Sequence, residues 1–431
     1  MGKQQSKQNE LDRYNSNEQD RKLFLDYLNE WENGKEPTSA DNDLRYSLNL
    51  QAKRLEENDL IKKVDISIED GPIDLSKVES FIKVNDLHMI SGKSKESYLN
   101  KVNSKVIGKK KEYINFYETI LQAPKGQEAI ADMDYSCLSC GSVSKVSELI
   151  KGCPYCSTKF IMDELYPKVH NAYTIKDMPH GDNLKKEILI TMIPTGIVFA
   201  ILTAIKRYPE LVNNEISLIG YIFGIIFGGV LLGVILGYFL FAIRMLLSLF
   251  YNAAKSMPLL FGIRGWKKKI NNMYKKYFPD LNYQYFEGKA ISLLKCILFS
   301  KNATDFVQYK NDSLPYGYEN IIDIKYLGGI GVDSVNEIEE NGIEKIEINL
   351  RVFLENARYD GSKVFFTKDV ANMTMIHNKN NDINKEFTIS AVKCKSCGGS
   401  FNALREKNCS YCNTPYDAEI DDWAVTKIEF Q

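Results

Sequence analysis

Two long stretches without a charged residue constrain this chain more than any other feature. Residues 188–205 carry no charge over eighteen positions, and residues 216–243 carry none over twenty-eight. About 20 apolar residues in a helix cross the roughly 30 Å hydrocarbon core of a bilayer, so both stretches have the length of a membrane span. The alternative, a pair of buried core helices, is disfavoured because such helices rarely stay uncharged on every face. Only residues 206–215 separate the two stretches, and the sequence therefore predicts a transmembrane hairpin.

Basic residues that flank the hairpin predict its orientation. Lys185 and Lys186 precede the first span and Arg244 follows the second, whereas the connecting loop carries only Lys206 and Arg207. Lysine and arginine are enriched in the cytoplasmic loops of membrane proteins. We therefore expect an integral membrane protein with both termini in the cytoplasm, in the plasma membrane if the source is bacterial. Membrane lipids are then its first expected partner.

Small residues recur at four-residue spacing in both predicted spans, where they let neighbouring helices approach closely. The first span has one such row and the second span has two, namely Gly196, Ala200 and Ala204, then Gly220, Gly224 and Gly228, then Gly229, Gly233 and Gly237. At about 100° per residue, the two rows of the second span lie on nearly opposite faces, and the first span covers only one of them. The uncovered face predicts a homo-oligomer or another membrane-protein partner. The alternative is the general enrichment of glycine in membrane helices.

Eight of the nine cysteines form two copies of one pattern, a Cys-x-x-Cys pair followed by a second such pair after eleven or twelve residues. Two such pairs present four thiolates to one tetrahedral ion. Disulfides are disfavoured by the expected cytoplasmic side, and a redox pair would accompany a βαβ pattern that neither copy shows. The sequence predicts two structural Zn²⁺ ions, held by Cys137, Cys140, Cys153 and Cys156 and by Cys394, Cys397, Cys409 and Cys412. The ninth cysteine, Cys296, lies in an apolar run and is expected to be a packing residue.

The chain before the hairpin, and the segment directly after it, have different expected structures. Apolar residues at three- and four-residue spacing predict a mainly helical cytoplasmic region after a disordered start. Beyond the second span, apolar residues mixed with lysines predict an amphipathic segment at the lipid headgroups, or else a plain stop-transfer flank followed by a soluble helix. The expected bounds are 1–20 for the disordered start, 21–131 for the helical region (with helices at 22–31, 44–60, 76–82 and 111–121), 132–180 for the first cysteine group and a linker, and 244–283 for the amphipathic segment.

Residues 284–392 are predicted to form an α+β domain, and residues 393–431 a second zinc ribbon with a closing strand. Hydrophobic alternation and the turn signals Asn341-Gly342 and Asp360-Gly361 predict strands connected by hairpins. The glycines of residues 328–331 are predicted to form a turn or bulge, with no phosphate-binding helix behind them. The expected elements are one helix near 286–299 and strands at 322–326, 346–354, 363–367, 373–377, 386–392 and 423–430.

This C-terminal layout resembles the domain shared with mitochondrial inner-membrane import translocase subunit 44, a cone-shaped α+β fold akin to the nuclear-transport-factor-2-like superfamily. Bacterial relatives often carry a cysteine ribbon and then a terminal strand with tryptophan, features that look like Cys394, Cys397, Cys409, Cys412 and Trp423 here. The resemblance covers about a third of the chain, and the mitochondrial members lack the ribbon. It implies membrane association and the binding of a protein or lipid in an apolar concavity, and it brings no conserved active site.

Charge balance narrows the function further. Lysine and arginine number 55 against 56 aspartate and glutamate, so there is no basic excess for a phosphate backbone and no nucleic-acid partner is expected. We expect a multi-domain membrane protein that is a scaffold or adaptor for an unknown cytoplasmic protein, and not an enzyme. One alternative is a pocket enzyme that uses Asp323, Tyr326, Asp360 or His377, which a pocket-buried carboxylate with a raised pKa would support. The other alternative is a pair of zinc ribbons that contact nucleic acid.

Overall fold

The chain forms two compact units in this computed structural model. Met1–Asp177 and Ile263–Gln431 make up the first, called the two-part unit below, and Met178–Gly262 make up the second, called the hairpin unit. The residues that the structure describes are 37–68, 73–79, 83–121, 134–137, 139–149, 152–158, 168–177, 181–247, 283–340, 342–379, 392–401, 408–416 and 423–430, with short pieces between 22 and 31 and single positions at 272, 276, 277 and 406. The expected disordered start and nearly all of the expected amphipathic segment 244–283 lie outside these residues.

The N-terminal part of the two-part unit consists of one helix and a five-stranded antiparallel sheet. Helix α1 (Asn42–Glu57) begins after Asp41, whose side chain accepts a hydrogen bond from the Leu44 N–H and so caps the first turn. The sheet has the order β1-β3-β4-β7, with β2 paired to β3. Its strands are β1 (Leu60–Ile68), β2 (Ile73–Glu79), β3 (Lys83–Asn100), β4 (Val106–Leu121) and β7 (Lys168–Lys176), and between β4 and β7 lie the short strands β5 (Asp134–Ser136) and β6 (Val143–Lys145) and the single-turn helix α2 (Val146–Leu149).

The prediction of a mainly helical N-terminal region is wrong for the described residues. Helix α1 confirms the expected helix at 44–60, but residues 111–121 belong to β4 and residues 76–79 belong to β2. Tyrosine, isoleucine and phenylalanine fall at spacings in 111–121 that satisfy a helix and a strand alike, so periodicity cannot separate the two. Residues 111–121 form a strand because they pair with β3 on one side and with β7 on the other. This pairing buries Ile114 and Phe116 on the face toward α1.

The hairpin unit contains α3 (Gly181–Val212) and α4 (Leu218–Leu247), which include both predicted spans. Both helices are long and apolar enough to cross a membrane. Only 6% of the most apolar window of α3 and 17% of that of α4 is buried, so among the described residues these windows are not covered as core helices would be. At the open end of the hairpin, Arg244 of α4 donates to the Glu187 carboxylate of α3 at 2.9 Å.

The row of Gly229, Gly233 and Gly237 in α4 packs directly on the backbone of α3. A Cβ added at Gly233 would lie 2.8 Å from the Gly196 Cα, and one added at Gly229 would lie 2.7 Å from the Ala200 Cα. The same holds at Gly237, where the Cα of α3 is again 2.8 Å away. No side chain fits at such separations, so this row is the contact surface between the two helices.

The placement of the two glycine rows on opposite faces is wrong, because residues Ile225–Leu231 form a π-helical turn. Hydrogen bonds in such a turn join residues five apart, so Gly224 and Gly229 come onto one side of α4, and both are buried. A Cβ at Gly224 would overlap Arg207 of α3, and one at Gly228 would lie 3.9 Å from Thr203, while near Gly220 the Tyr221 hydroxyl donates to the Ala204 carbonyl. The row of Gly220, Gly224 and Gly228 therefore does not supply a second free face for another helix. The homo-oligomer or membrane-protein partner stays a prediction, but the glycine rows do not support it.

The C-terminal part of the two-part unit packs one helix on a four-stranded antiparallel sheet of order β13-β10-β9-β8. The predicted helix and the strands at 322–326, 346–354 and 423–430 are confirmed, whereas the two strands predicted at 363–367 and 373–377 are one continuous strand, β10. Residues 386–391 of another predicted strand lie outside the described part of the chain. Gly328, at φ +73°, lies in a bulge where the register between β8 and β9 shifts, as predicted. The elements are α5 (Tyr283–Phe299), β8 (Ile321–Glu340), β9 (Ile343–Tyr359), β10 (Val364–Asn378), β11 (Val392–Lys393), β12 (Ser400–Phe401) and β13 (Ala424–Phe430).

Contacts between the N-terminal and C-terminal parts make the two-part unit a single body, although the hairpin separates them in sequence. Helix α1 packs on α5, where Asp43 and Lys289 form a buried ion pair. Arg54 of α1 donates to the carbonyls of Leu298 and Ser300 at 3.3 Å. The two parts were predicted as separate regions, because contacts between residues so far apart in sequence leave no local pattern in it.

We expect Gly233→Leu to destabilise the hairpin unit by about 1–3 kcal/mol, the usual cost of forcing extra methylenes into a filled contact. Ala242→Leu is the matched control, because Ala242 is an exposed small residue on the same helix. The measurement is the loss of helical circular dichroism on heating the full chain in detergent. Equal melting of the two variants would show that the glycine row does not hold the helices together.

Candidate functional site

Each group of four cysteines has the geometry of a tetrahedral metal site. All four Sγ atoms of a group lie within 4.8 Å of one another. A tetrahedral ion with metal–sulfur bonds of about 2.3 Å places its ligand sulfurs about 3.8 Å apart, whereas a disulfide requires about 2.05 Å. The Sγ–Sγ separations include 3.7 Å for Cys137 and Cys156, 3.8 Å for Cys140 and Cys153, 3.5 Å for Cys394 and Cys412, and 3.6 Å for Cys397 and Cys409. Both predicted ligand sets are therefore brought together, as free thiols that fit one ion each.

One backbone conformation repeats in all four Cys-x-x-Cys turns. The first cysteine of each turn donates its N–H to the carbonyl five residues later, and its own carbonyl accepts the N–H four residues later, at 2.7–2.9 Å. The residue at that fourth position always has positive φ: 74° for Gly141, 57° for Ser157, 71° for Gly398 and 59° for Asn413. The repeat seen in the sequence is thus a repeat of structure, with glycine or asparagine at three of the four left-handed positions.

In each group a hydroxyl favours the thiolate form, which metal binding needs, at one cysteine. The Ser142 hydroxyl lowers the pKa of Cys153 to about 6, and the Thr414 hydroxyl lowers the pKa of Cys412 to about 6. Another cysteine of each group shifts the other way: burial raises the pKa of Cys137 to about 11, and the hydrogen bond with Cys412 raises the pKa of Cys397 to about 12. Four sulfurs complete a tetrahedral shell and leave no open coordination position. Each group could therefore hold one metal ion in a closed shell of four sulfurs.

The two sites differ in what surrounds them. Cys394 and Cys409 belong to the main hydrophobic core, together with Phe401 and residues of α5 and the four-stranded sheet. Cys137 and Cys153 form a small separate cluster with Leu149. A metal ion at the second site would therefore be coupled to the core of the two-part unit, whereas one at the first site would hold mainly its own ribbon.

A cavity of about 130 Å³ opens where the N-terminal and C-terminal parts of the two-part unit meet. Its walls come from α1, β1, β3, β4, β7, α5 and β8, so neither part encloses it alone. The carboxylate of Asp323 on β8 is buried between the two parts and lines the cavity. Its Oδ1 accepts from the Gln51 side chain, and its Oδ2 accepts from Lys62 at 2.5 Å and from the Tyr98 hydroxyl at 2.7 Å.

These contacts decide the protonation of Asp323. Burial by itself raises the pKa of this carboxyl, but the attraction to Lys62 and the hydrogen bonds from Lys62 and Tyr98 outweigh it and lower the pKa. The same pair raises the pKa of Lys62 against its burial. Asp323 is therefore ionised and a weak base, which is the opposite of the raised pKa that a pocket general base would need.

The structure does not bring the four candidate enzyme residues together. Asp323 and Tyr326 line the cavity, and the Tyr326 hydroxyl donates to the buried carboxylate of Glu287. Asp360 is exposed in the turn between β9 and β10, where backbone hydrogen bonds hold its pKa at about 2. His377 is buried and stacks on Trp423, with 5.0 Å between the ring centres.

A second polar cluster near the start of α1 was missed by the sequence analysis. His170 of β7 lies between the Asp41 carboxylate, 2.5 Å from its Nδ1, and the Tyr285 carbonyl, 2.9 Å from its Nε2. A methyl group on Gly288 would overlap the imidazole ring, so glycine is required there. The one signal in the sequence was Lys289, a lysine inside an apolar helix, which predicts a buried acidic partner without naming it.

No family model, curated protein or solved structure matches this chain. The resemblance to the import translocase subunit therefore stays a prediction, carried by the cysteine ribbon and Trp423.

Metal analysis of the purified chain should find two ions per chain. Cys140→Ser and Cys412→Ser should each leave one ion, while Cys296→Ala, which removes a buried thiol of α5 outside both sites, should leave two. Cys412→Ser should also lower the melting temperature more than Cys140→Ser, because only the second site is part of the main core. Fewer than two ions in the wild-type chain would contradict the paired-site assignment.

Asp323→Asn should destabilise the two-part unit by about 3–5 kcal/mol at pH 7, because it removes the carboxylate that the buried Lys62 contacts directly. The folded-state pKa of Asp323 is lowered below 3.8, so its contribution is complete above that pH and is lost only as the pH falls through the lower folded value. Urea unfolding should therefore give the same penalty from pH 7 to about pH 5, while Asp312→Asn on the exposed surface should change little. A penalty that shrinks already between pH 7 and pH 5 would mean that the pKa is raised.

Proposed function

We propose that this protein is a membrane-anchored adaptor in which the hairpin crosses the bilayer and the two-part unit binds a partner at the cytoplasmic surface. The observation that carries the proposal is the position of the hairpin within the fold. The chain leaves the two-part unit after β7, passes through α3 and α4, and returns to the same unit before α5. The unit is thus attached to the hairpin by two chain segments, which restricts its motion more than a single terminal anchor would.

Lipid contact is supported by the surfaces of α3 and α4. Their inner faces hold the glycine and alanine contacts, and their outer faces expose large apolar side chains such as Ile197, Ile219 and Phe239. Exposed apolar surface of this extent is a cost in water and matches the hydrocarbon of a bilayer. The basic residues flanking the open end of the hairpin, with Arg244 and Glu187 paired across it, favour that end on the cytoplasmic side.

Zinc is the metal that the two cysteine groups fit best. Four thiolates in a tetrahedron select Zn²⁺ or an iron–sulfur centre, and paired Cys-x-x-Cys turns at this spacing are typical of zinc ribbons. When bound, each ion would hold two turns together and contribute folding free energy. The thiolates of the second site would in this way brace the sheet that carries Asp323.

An adaptor gains from this arrangement because tethering confines the two-part unit to a surface. A partner that is also membrane-bound then meets it at a raised effective concentration. Binding of a protein or lipid in a concavity is what the resemblance to the import translocase domain implies. The ionised and fully hydrogen-bonded Asp323 supports binding rather than proton transfer at this site.

The membrane placement predicts how the chain fractionates. The wild-type chain should stay with membranes in alkaline carbonate, and a variant in which a flexible Gly/Ser linker replaces residues 178–262 should be soluble and still bind two metal ions. Asn214→Cys, in the loop between the spans, should react with an impermeant thiol reagent in intact cells, whereas Asp312→Cys should react only after lysis. Release of the wild-type chain by carbonate, or the reverse labelling pattern, would contradict the proposal.

A further inference from the structure

The cavity between the two parts of the two-part unit combines aromatic walls with lysine side chains. Tyr27, Trp31 and Phe116 line one portion, and Lys62, Lys295 and Lys325 contribute the cations. Its volume of about 130 Å³ is well above the roughly 10–15 Å³ that one water molecule requires. A space of this kind, mostly apolar with a few convergent polar groups, is the usual form of a small-molecule site.

Two of the three lysines are already paired with carboxylates. Lys62 contacts Asp323, and Glu96 of β3 also raises its pKa, so two carboxylates face one ammonium group. Lys325 is 3.0 Å from the Glu112 carboxylate of β4. These lysines therefore belong to the contacts that join the two parts and are not available to a ligand.

Lys295 differs from both. The side chain of Lys295 is half-buried and lines the cavity, and among the described residues it makes no hydrogen bond or ion pair. Burial lowers the pKa of Lys295, and the nearby Asp323 offsets this only in part because that carboxylate already serves Lys62. An anion beside this ammonium group would supply the missing counter-charge.

We propose that the cavity is a binding site for a small organic anion, a monocarboxylate with an aromatic or short aliphatic body. The carboxylate accepts a charge-assisted hydrogen bond from Lys295, and the body lies against the rings of Tyr27, Trp31 and Phe116. Because α5 supplies Lys295 and the N-terminal part supplies Tyr27, Trp31 and Phe116, the ligand contacts both parts. The site does not depend on the membrane placement, since every lining residue belongs to the two-part unit.

Calorimetric titration of the full chain in detergent tests this assignment with a fixed set of probes: acetate, phenylacetate and indole-3-acetate, with phenylacetamide as the neutral counterpart of phenylacetate. Phenylacetate or indole-3-acetate should bind, and phenylacetamide should bind at least about tenfold more weakly than phenylacetate, the factor expected from one charge-assisted hydrogen bond. Lys295→Met should reduce phenylacetate binding to the level of the amide, and Lys295→Arg should restore part of it. Lys301→Met, at an exposed lysine after α5, is the matched control and should bind as the wild-type chain does.

Two further measurements separate loss of the site from loss of the fold. Metal content of the Lys295→Met chain should equal that of the wild-type chain, and its melting temperature should stay close to the wild-type value. The variant loses no hydrogen bond or ion pair with the described residues, and only the weaker attraction between Lys295 and Asp323 is removed. Tryptophan fluorescence should change on binding, and the change should disappear in Trp31→Phe, which places the ligand in the cavity. The proposal is overturned if none of the three carboxylates binds, if the amide binds as well as phenylacetate, or if Lys295→Met binds unchanged.

Discussion

The ionised carboxylate of Asp323 is the interaction on which the two-part unit depends. A buried charge is tolerated only when it is paired and hydrogen-bonded, and every donor to this one comes from the other part of the chain. Gln51 lies on α1, Lys62 on β1 and Tyr98 on β3, whereas Asp323 lies on β8. Separating the two parts would leave Asp323 without these donors. The N-terminal and C-terminal parts are therefore expected to fold together, although the hairpin unit separates them in the chain.

Other ion pairs also join the N-terminal part to the C-terminal part, along the junction where the two parts meet. Lys289 on α5 contacts Asp43 in the first turn of α1, and Lys110 of β4 contacts Glu355 of β9. Buried pairs of this kind add little net stability over apolar packing, but they exclude alternative registers because a slip leaves a charge unpaired. The junction is thus specified by charge complementarity, and the apolar cluster of Leu60 and Tyr98 with Val364 supplies the burial. The cavity is a consequence of this junction, because large side chains from two sheets and two helices meet there without filling the space.

In the hairpin unit and the two cysteine groups, local backbone geometry determines the structure. Four turns adopt one backbone conformation because each places two sulfurs toward the same point, and the left-handed residue at its fourth position closes the turn. The hairpin depends on the close approach of two backbones, which only small residues allow. The π-helical turn then decides which small residues reach that contact, because it changes the phase of α4 between Gly224 and Gly229.

The sequence by itself determined the features that a short stretch of chain encodes. Uncharged length predicted the two long apolar helices, Cys-x-x-Cys spacing predicted the two four-cysteine groups, and alternation predicted most strands of the C-terminal sheet. Only the tertiary structure decided that residues 111–121 are a strand, that the two parts flanking the hairpin form one unit, and that the glycine rows share a face. The physical reason is that strand pairing, buried ion pairs and a π-helical phase shift depend on partners or hydrogen bonds that no periodicity records. Lys295 could likewise not be identified from the sequence, because a lysine in an apolar helix becomes a candidate ligand contact only when its neighbours in the fold are known.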